Sequence, residues 1–305
     1  MARWLERFLA AVATIWLVAT LSFWALRVLP GDAIQTQLMQ SGASEALIAA
    51  RREQQGLNQP IFAQYTQFLR NLLRGDFGYS LLDGQAVTEM IAQRLAPTAA
   101  LATGAILLAV VLGITLGVVS AWPGWLATWA RLIIGLALSI PIYWTGTLAI
   151  LIFAVWLGWL PSAGGDNLAG WLLPVAVLGF HTGGSIARVV ETQIRETLAA
   201  DFVRTAHAKG LPKILVLRRH VLRVGLLPTI TVIALQFGFL LGGTVITESL
   251  FVRPGLGRLL LDSALQQDYP VVQGITVLLA AIYTLVNLIA DLLYAVFDPR
   301  VAVVE

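Results

Sequence analysis

The stretch that decides the fold is residues 201–228, which read DFVRTAHAKGLPKILVLRRHVLRVGLLP. It lies in the most basic part of the chain, because residues 188–223 hold eight of the twenty Lys and Arg residues. Long apolar runs flank this part, and so many charges do not lie in hydrocarbon, so we expect a loop in water. Apolar residues at helical spacing up to Ala206, followed by Gly210 and Pro212, predict a helix, a left-handed cap and a second helix to about Arg223.

Composition indicates an all-α integral membrane protein. Hydrophobic residues make up 58% of the 305 residues and charged residues only 12%, whereas a soluble domain carries roughly a quarter charged residues. The bias of basic residues towards cytoplasmic loops explains the basic cluster, so nucleic-acid binding is not supported. The chain has no cysteine, which excludes a disulfide framework and a thiolate metal site.

Apolar runs predict six transmembrane helices, each near the length that spans a bilayer. They cover residues 8–26, 98–121, 132–160, 171–187, 224–247 and 271–290. Pro141 is expected to kink or break the third run. Arg3 and Arg7 precede the first run, which we interpret as a retained helix and not a cleaved signal. The same bias then places both termini and residues 188–223 in the cytoplasm.

The polar region after the first helix predicts a small extracytoplasmic helical subdomain. We therefore divide the chain into residues 1–28 (N-terminus and first transmembrane helix), 29–96 (subdomain) and 97–305 (five-helix core). Within the subdomain we expect a helix over 45–55 capped by Ser44, one over 61–73 begun by Pro60, and one over 87–95 that ends before Pro97. Residues 248–270 are expected to form a loop on the same side of the membrane.

Catalytic motifs are not present: the sequence contains no phosphate-binding GxxxxGK[ST], no HExxH and no GxSxG. His181 lies in an apolar run, where an ionisable residue is a functional candidate, and the alternative is a hydrogen bond between helices. Glu248, at the outer end of the fifth run, is interpreted as a residue that anchors the loop.

The fifth run has features of a helix that packs closely against a partner. Gly238, Gly242 and Gly243 would allow a close approach, and Gln236 is polar in apolar surroundings. We expect this span to line the interface between two membrane subunits. The candidate residues for this interface, or for a path through the membrane, are His181, Gln236, Gly242, Gly243 and Glu248.

Five segments carry a resemblance to a known family. They are DFVRTAHAKGL with RRHVLRVGLLP in the basic loop, LPGD at 29–32, GDFGYSL at 75–81, ESLFVRPGLGRLL with DYPVVQG at 248–274, and FDPRV at 297–301. The chain resembles binding-protein-dependent ABC-transporter permeases, specifically the dipeptide, oligopeptide and nickel branch. Residues 204–206 (RTA) stand where the wider family has EAA, and Gly210 takes the family's glycine position. The resemblance implies an ATPase-coupling loop made of Asp201, Arg204, Thr205, Ala206, Lys209, Gly210 and Leu211.

The resemblance also implies a function. The chain would be a multi-pass permease subunit of the cell (inner) membrane, in an ATP-driven importer of peptides or a related small solute. It would not be an enzyme and would bind no cofactor, because ATP and Mg²⁺ would bind to two partner ATPase subunits. A second homologous permease subunit and an extracytoplasmic solute-binding protein would complete the importer. We expect Ala206 to lie on the face that enters the ATPase.

Alternatives to this reading concern the solute and the class of protein. A nickel or other metal chelate, a glutathione-like molecule and a sugar remain open as solutes. A stand-alone secondary transporter would need inverted repeats and several charges at the membrane midplane, and neither is found. An intramembrane enzyme would need a metal or nucleophile constellation inside the apolar runs, which His181 alone does not make.

Overall fold

The computed structural model describes residues 2–28, 44–46, 53, 58–163 and 168–297. Over these residues the secondary structure is helical, and extended pairing is limited to an isolated bridge between Tyr79 and Ala86. The predicted all-α class is therefore confirmed. The segment LPGD, all of FDPRV after Phe297 and most of the helix expected over 45–55 lie outside the described residues.

The helices have the following bounds in chain order: α1 Ala2–Val28, α2 Ile61–Leu73, α3 Val87–Ser120, α4 Trp125–Ser139, α5 Ile142–Trp156, α6 Leu168–Leu198, α7 Asp201–Ala208, α8 Lys213–Gly225, α9 Leu227–Gly243, α10 Val245–Leu250, α11 Leu256–Leu265 and α12 Tyr269–Phe297. Two parts of these helices are π-helical, Ile150–Trp156 in α5 and Leu217–Val221 in α8. Helix α2 has the predicted bounds, with Pro60 at its N-cap.

Among the described residues, α1, α3, α6 and α12 are individually long and apolar enough to cross a membrane. Two further pairs pass the same test only when taken together: α4 with α5, bent by 106°, and α8 with α9, bent by 50°. The first bend lies at Pro141, which cannot donate a backbone hydrogen bond and clashes with the preceding turn of a continuing helix. Of the two predicted outcomes, a kink or a break, the third apolar run therefore shows a break at Pro141.

Two predictions about helix extent are wrong. The helix predicted over 87–95 does not end before Pro97; the proline lies inside α3, whose first turns pack Val87 and Ile91 into a buried cluster with Leu256 and Ile275. Residues 248–270 are largely helical, since α10 and α11 occupy them. Helix α6 continues beyond the apolar run 171–187 to Leu198.

The chain divides into two compact units, of which the first comprises residues 1–98 and 254–284. In this unit α1 packs on α2 through aromatic rings, with the Phe23 ring 5.2 Å from that of Tyr65 and 5.5 Å from that of Phe68. The hydroxyl groups of Thr20 and Tyr65 are also hydrogen-bonded at 2.8 Å. These contacts hold α2 against α1.

The second unit, residues 99–253 and 285–305, is built on the helices α3 and α6. Gly104 of α3 lies against Val175 of α6, and Gly117 lies against Val190. The residue numbers of the contacting positions thus rise together along both helices. The two helices are therefore parallel, and the ends of both lie on the same side. The intervening chain, which contains α4 and α5, returns to the opposite end between them.

Candidate functional site

The basic loop folds as two short helices after α6. Helix α6 ends at Leu198, the chain is extended at Ala200, and α7 then runs to Ala208. Gly210 has a φ of +76°, so the predicted left-handed cap is confirmed. Pro212 is the N-cap of α8. The predicted helix, stop, helix pattern is present, although the first helix is interrupted at residues 199–200 and does not run on from α6.

One face of this helix pair is anchored in the core of the second unit. Val203, Ala206, Val216 and Val221 are buried in the same hydrophobic cluster as Ile194 of α6. The expectation that Ala206 points outward is therefore wrong. The break at residues 199–200 rotates α7 relative to α6, so that residues 203 and 206 turn inward and residue 202 turns outward.

The opposite face is exposed and carries both apolar and basic side chains. Ile214 is 63% exposed, Phe202 43% and Leu215 38%. The exposed basic residues beside them are Arg204, Lys209, Lys213, Arg218, Arg219 and Arg223. A surface that combines exposed apolar side chains with positive charge is suited to contact another protein.

The other residues of the expected coupling loop lie on or beside this exposed face. Asp201 and Arg204 form an exposed ion pair at 3.7 Å. The hydroxyl of Thr205 donates to the carbonyl oxygen of Asp201 at 3.0 Å. Lys209 is exposed next to Gly210, whereas Leu211 is half-buried against the core. The structure thus brings the coupling-loop residues together on one short element.

His181 joins α6 to both arms of the bent pair. Its Nδ1 lies 2.8 Å from the carbonyl oxygen of Ala137 in α4, and its Nε2 lies 3.0 Å from Oγ1 of Thr145 in α5. Next to it, Gly184 allows α4 to come close, because a Cβ atom at this position would lie 2.6 Å from Cβ of Ala137. The contacts agree with the alternative in which His181 makes hydrogen bonds between helices.

Glu248 is buried within the short helix α10, with 1% of its surface exposed. The hydroxyl of Thr244 donates to its Oε1 at 2.8 Å, and its carbonyl oxygen accepts from the backbone N–H of Arg253 at 2.7 Å. The guanidinium of Arg253 in turn lies 3.7 Å from the centre of the Trp171 ring. These contacts agree with the interpretation that Glu248 anchors the chain after the fifth span.

The glycines of α9 are expected to pack closely against a partner subunit. At Gly242 an added Cβ atom would meet nothing within 4 Å among the described residues outside its own helix and chain neighbours. Gln236 on the same helix is half-buried. Gly243 lies at the end of α9, and its surroundings are outside the described part of the structure. Gly242 therefore makes no close contact with another helix in the part of the chain that the structure describes.

Close helix packing occurs instead at glycines that the sequence analysis did not single out. A Cβ atom at Gly113 would lie 2.6 Å from Cγ2 of Ile186, and one at Gly117 would lie 2.5 Å from Cβ of Val190. On α6, Cβ atoms added at Gly179 and Gly183 would lie 3.1 and 3.3 Å from backbone carbonyl oxygens of α3. Both helices carry two glycines at a spacing of four, a pattern typical of close helix approach that could have identified this seam.

Two of the resembling segments meet in the first unit. The hydroxyl of Ser80, in GDFGYSL, donates to the carboxylate of Asp268, in DYPVVQG, and the backbone N–H of Leu81 donates to the same carboxylate at 3.0 Å. Burial raises the pKa of Asp268 above its usual value, because desolvation outweighs these hydrogen bonds, which lower it. Gly274 lies against Val87, where a Cβ atom would be 2.7 Å from Cγ1. The contact joins residues 188 positions apart, so neither segment's own pattern indicates it.

Among the described residues, no group of three or more His, Cys, Asp or Glu side chains is placed to hold a metal ion. The arrangement is instead that of a helical membrane core with an exposed, basic and apolar element at one end. Such a site can bind and move with a partner protein.

Comparisons with known proteins agree with this arrangement. The family described as "Binding-protein-dependent transport system inner membrane component" matches residues 109–303, and its N-terminal counterpart matches residues 1–102. The chain is 38% identical over 302 residues to the glutathione transport system permease protein GsiC of Salmonella paratyphi A. It is 37% identical to GsiC of Escherichia coli strain K12, and both alignments cover 97% of each chain.

Solved structures show the same fold at lower sequence identity. An inward-facing conformation of the MetNI methionine ABC transporter matches with a TM-score of 0.59 and 19% identity, over 68% of this chain and 96% of that one. An amino acid ABC transporter crystallised with histidines matches with a TM-score of 0.53 and 18% identity, over 70% and 94% of the two chains. This chain belongs to the family of binding-protein-dependent transport system inner membrane components, and it is a permease subunit of an ABC importer.

Proposed function

We propose that this permease subunit imports glutathione or a related small peptide, and that residues 201–211 couple it to ATP hydrolysis by partner subunits. The observation that carries the coupling assignment is the two-faced helix pair α7–α8. Its inner face is fixed in the core by Val203 and Ala206, while its outer face exposes Phe202 and Ile214 beside basic residues. An element anchored on one side and open on the other can transmit a displacement.

The connections of the pair support transmission to two spans. Helix α7 follows α6 after the short break at residues 199–200, and α8 leads into α9 through a 50° bend at Leu226. A push on the outer face would therefore move the cytoplasmic ends of α6 and α9 together. Alternating access follows if ATP binding closes the partner ATPases and this movement opens the path on the other side.

The partners follow from the family. A binding-protein-dependent system needs an extracytoplasmic solute-binding protein that delivers the solute. We propose that two ATPase subunits carry ATP and Mg²⁺, and that a second, homologous permease subunit completes the path. This chain would contribute translocation alone and no catalysis.

The solute assignment is supported by the names of the relatives, which are glutathione transport permeases that align over almost the whole chain. Glutathione is a tripeptide, so this agrees with the peptide branch that the sequence resembles. Dipeptides, longer peptides, a nickel chelate and sugars are the competing solutes.

Uptake by reconstituted vesicles tests both parts of the proposal. The complete importer, with its ATPases, second permease subunit and binding protein, is placed in liposomes, and ATP-dependent uptake of labelled glutathione is measured. We expect uptake that excess unlabelled glutathione abolishes and that a sugar or nickel does not. Uptake by this chain alone, without the ATPases, would contradict coupling and favour a secondary transporter.

We propose that Gln236, Gly242 and Gly243 of α9 border the second permease subunit or the solute path. The open surroundings of Gly242 support this placement, because the described part of this chain leaves that position uncovered. We propose that His181 and Glu248 instead hold the bends beside the path, since their observed hydrogen bonds are made within this chain.

We propose six spans with both termini in the cytoplasm and residues 29–96 on the extracytoplasmic side. The parallel packing of α3 and α6 supports counting the bent pair α4–α5 as one crossing. In intact cells, or in spheroplasts where an outer membrane blocks the reagent, the variant Ser44→Cys should react with a membrane-impermeant thiol reagent, and Thr205→Cys should not. The chain has no cysteine of its own to interfere. Labelling of Thr205→Cys alone would reverse this topology.

A further inference from the structure

A pocket lies at the turn between α3 and α4, in the second unit. Its volume is about 570 Å³, and it is lined by Ala121, Trp122, Pro123, Gly124, Thr128, Arg131 and Arg195. The two arginines are far apart in sequence, since Arg131 lies in α4 and Arg195 in α6, and both reach Ser120 at the end of α3. Both donate to the carbonyl oxygen of Ser120, Arg131 through Nη1 at 3.3 Å and Arg195 through Nη2 at 3.2 Å.

The charge around this pocket is positive. Arg195 also pairs with Glu191 at 2.9 Å, and Arg188 lies 3.8 Å from the other oxygen of that carboxylate. Three arginines (Arg131, Arg188 and Arg195) against one carboxylate leave two positive charges in excess. The buried Glu191 holds Arg195 in place, while 48% of the Arg195 side chain remains exposed. Arg131 is exposed as well, so both guanidinium groups keep N–H donors accessible to a ligand.

Aromatic side chains place the pocket at a membrane interface. Trp122 lines it, and the neighbouring Trp125 and Trp129 of α4 are 72% and 56% exposed. Exposed tryptophans in a membrane protein concentrate at the level of the lipid headgroups. Leu126 beside them and Leu132 further along α4 are also exposed and offer an apolar surface to acyl chains.

The side of the membrane follows from the helix directions. The pocket lies at the C-terminal end of α3. Because α3 and α6 are parallel, this is also the side on which α6 ends and leads into the basic loop. Under the predicted topology this is the cytoplasmic leaflet, where anionic lipid headgroups meet basic residues at the ends of spans.

We propose that this pocket binds the phosphate headgroup of an anionic phospholipid in the cytoplasmic leaflet. Guanidinium groups make charge-assisted, often paired hydrogen bonds to phosphate oxygens, and two of them converge here beside a headgroup-level tryptophan. A free phosphate shares this chemistry, but it gains nothing from the exposed Trp and Leu side chains of α4. The inference does not depend on the transported solute.

Native mass spectrometry of the purified full-length chain tests this site. Added phosphatidylglycerol should bind about tenfold more tightly than phosphatidylethanolamine with the same acyl chains, as charge-assisted hydrogen bonds to the headgroup predict. The double variant Arg131→Gln/Arg195→Gln should lose this preference. The single variant Arg131→Gln should lower the preference for phosphatidylglycerol in part. Because this variant leaves the Arg195–Glu191 pair in place, it tests the site even if the double variant fails to fold.

The matched control is Arg70→Gln/Arg74→Gln, which removes two exposed arginines from the other compact unit. It should keep the preference for phosphatidylglycerol. Equal binding of the two lipids to the unmodified chain would overturn the proposal, as would an unchanged preference in both pocket variants or an equal loss in the control. Displacement of phosphatidylglycerol by excess inorganic phosphate would overturn the lipid assignment in favour of a free-anion site.

Discussion

Gly117 in α3 and Gly242 in α9 both lie in apolar helices with other glycines nearby, but the structure uses them differently. A Cβ atom at Gly117 would meet Cβ of Val190 at 2.5 Å and the carbonyl oxygen of Ala187 at 2.8 Å. At Gly242 nothing among the described residues lies within 4 Å. Glycines of the first kind close a seam inside one chain, and those of the second kind leave a face open. Glycines in an apolar helix therefore indicate that another helix can approach closely, but they do not specify whether that helix belongs to the same chain or to a partner.

The largest effect is expected from closing the space at the seam. Gly117→Leu places a side chain against the backbone of α6, which cannot move without separating the two helices. Overpacking of this kind costs about 3 kcal/mol or more. We expect little folded protein in detergent, measured by size-exclusion chromatography and thermal unfolding. Gly135→Leu is the control, because an added Cβ atom there meets nothing within 4 Å; equal loss in both variants would contradict the seam.

The two faces of α7 should separate folding from docking. Ala206→Asp puts a carboxylate into the buried cluster that joins the loop to α6, at a cost of roughly 2–5 kcal/mol. We expect lower thermal stability and loss of the ATPases. Arg204→Glu reverses a charge on the exposed face, where the side chain is 80% exposed.

We expect Arg204→Glu to keep the stability of the unmodified chain but to retain less ATPase on the tagged permease in pull-down assays. Equal ATPase retention by this variant and the unmodified chain would show that the exposed face is not the docking surface. A normal unfolding temperature for Ala206→Asp would contradict the burial of that residue.

The open glycine should affect transport and not stability. Gly242→Leu fills a position without neighbours in the described chain, so the free energy of unfolding should change by less than about 0.5 kcal/mol. Transport in vesicles should fall sharply if a second permease subunit packs there. Normal transport would indicate that this face of α9 contacts lipid.

A modest change in stability is expected at the turn between α7 and α8. An added Cβ atom at Gly210 meets nothing within 4 Å, but in Gly210→Val a residue with a Cβ atom at a φ of +76° costs about 1 kcal/mol. The angle between the two helices should shift to relieve this strain. We expect an intact, membrane-inserted chain whose ATPase partners no longer respond to substrate, measured in nanodiscs; normal stimulation would leave the angle without a role in coupling.

Local signals predicted local structure well. Pro60 begins α2 and Gly210 adopts positive φ because each effect depends on one residue's own backbone geometry. Pro97 misled the prediction, since the packing of Val87 and Ile91 sustains α3 across a proline that a local rule treats as a boundary. The orientation of Ala206 was also mispredicted, because the break at residues 199–200 changed the helical phase.

The sequence by itself determined that this is a helical membrane protein with a basic loop, and the resembling segments determined its family, because composition, periodicity and motif order are properties of the chain alone. Only the tertiary structure decided which glycines close a seam and which side of α7 is buried. It also decided that Arg131 and Arg195 meet at one pocket and that Ser80 reaches Asp268. These contacts join residues distant in sequence, so they depend on the parallel course of helices and the angles at their breaks, which no local pattern specifies.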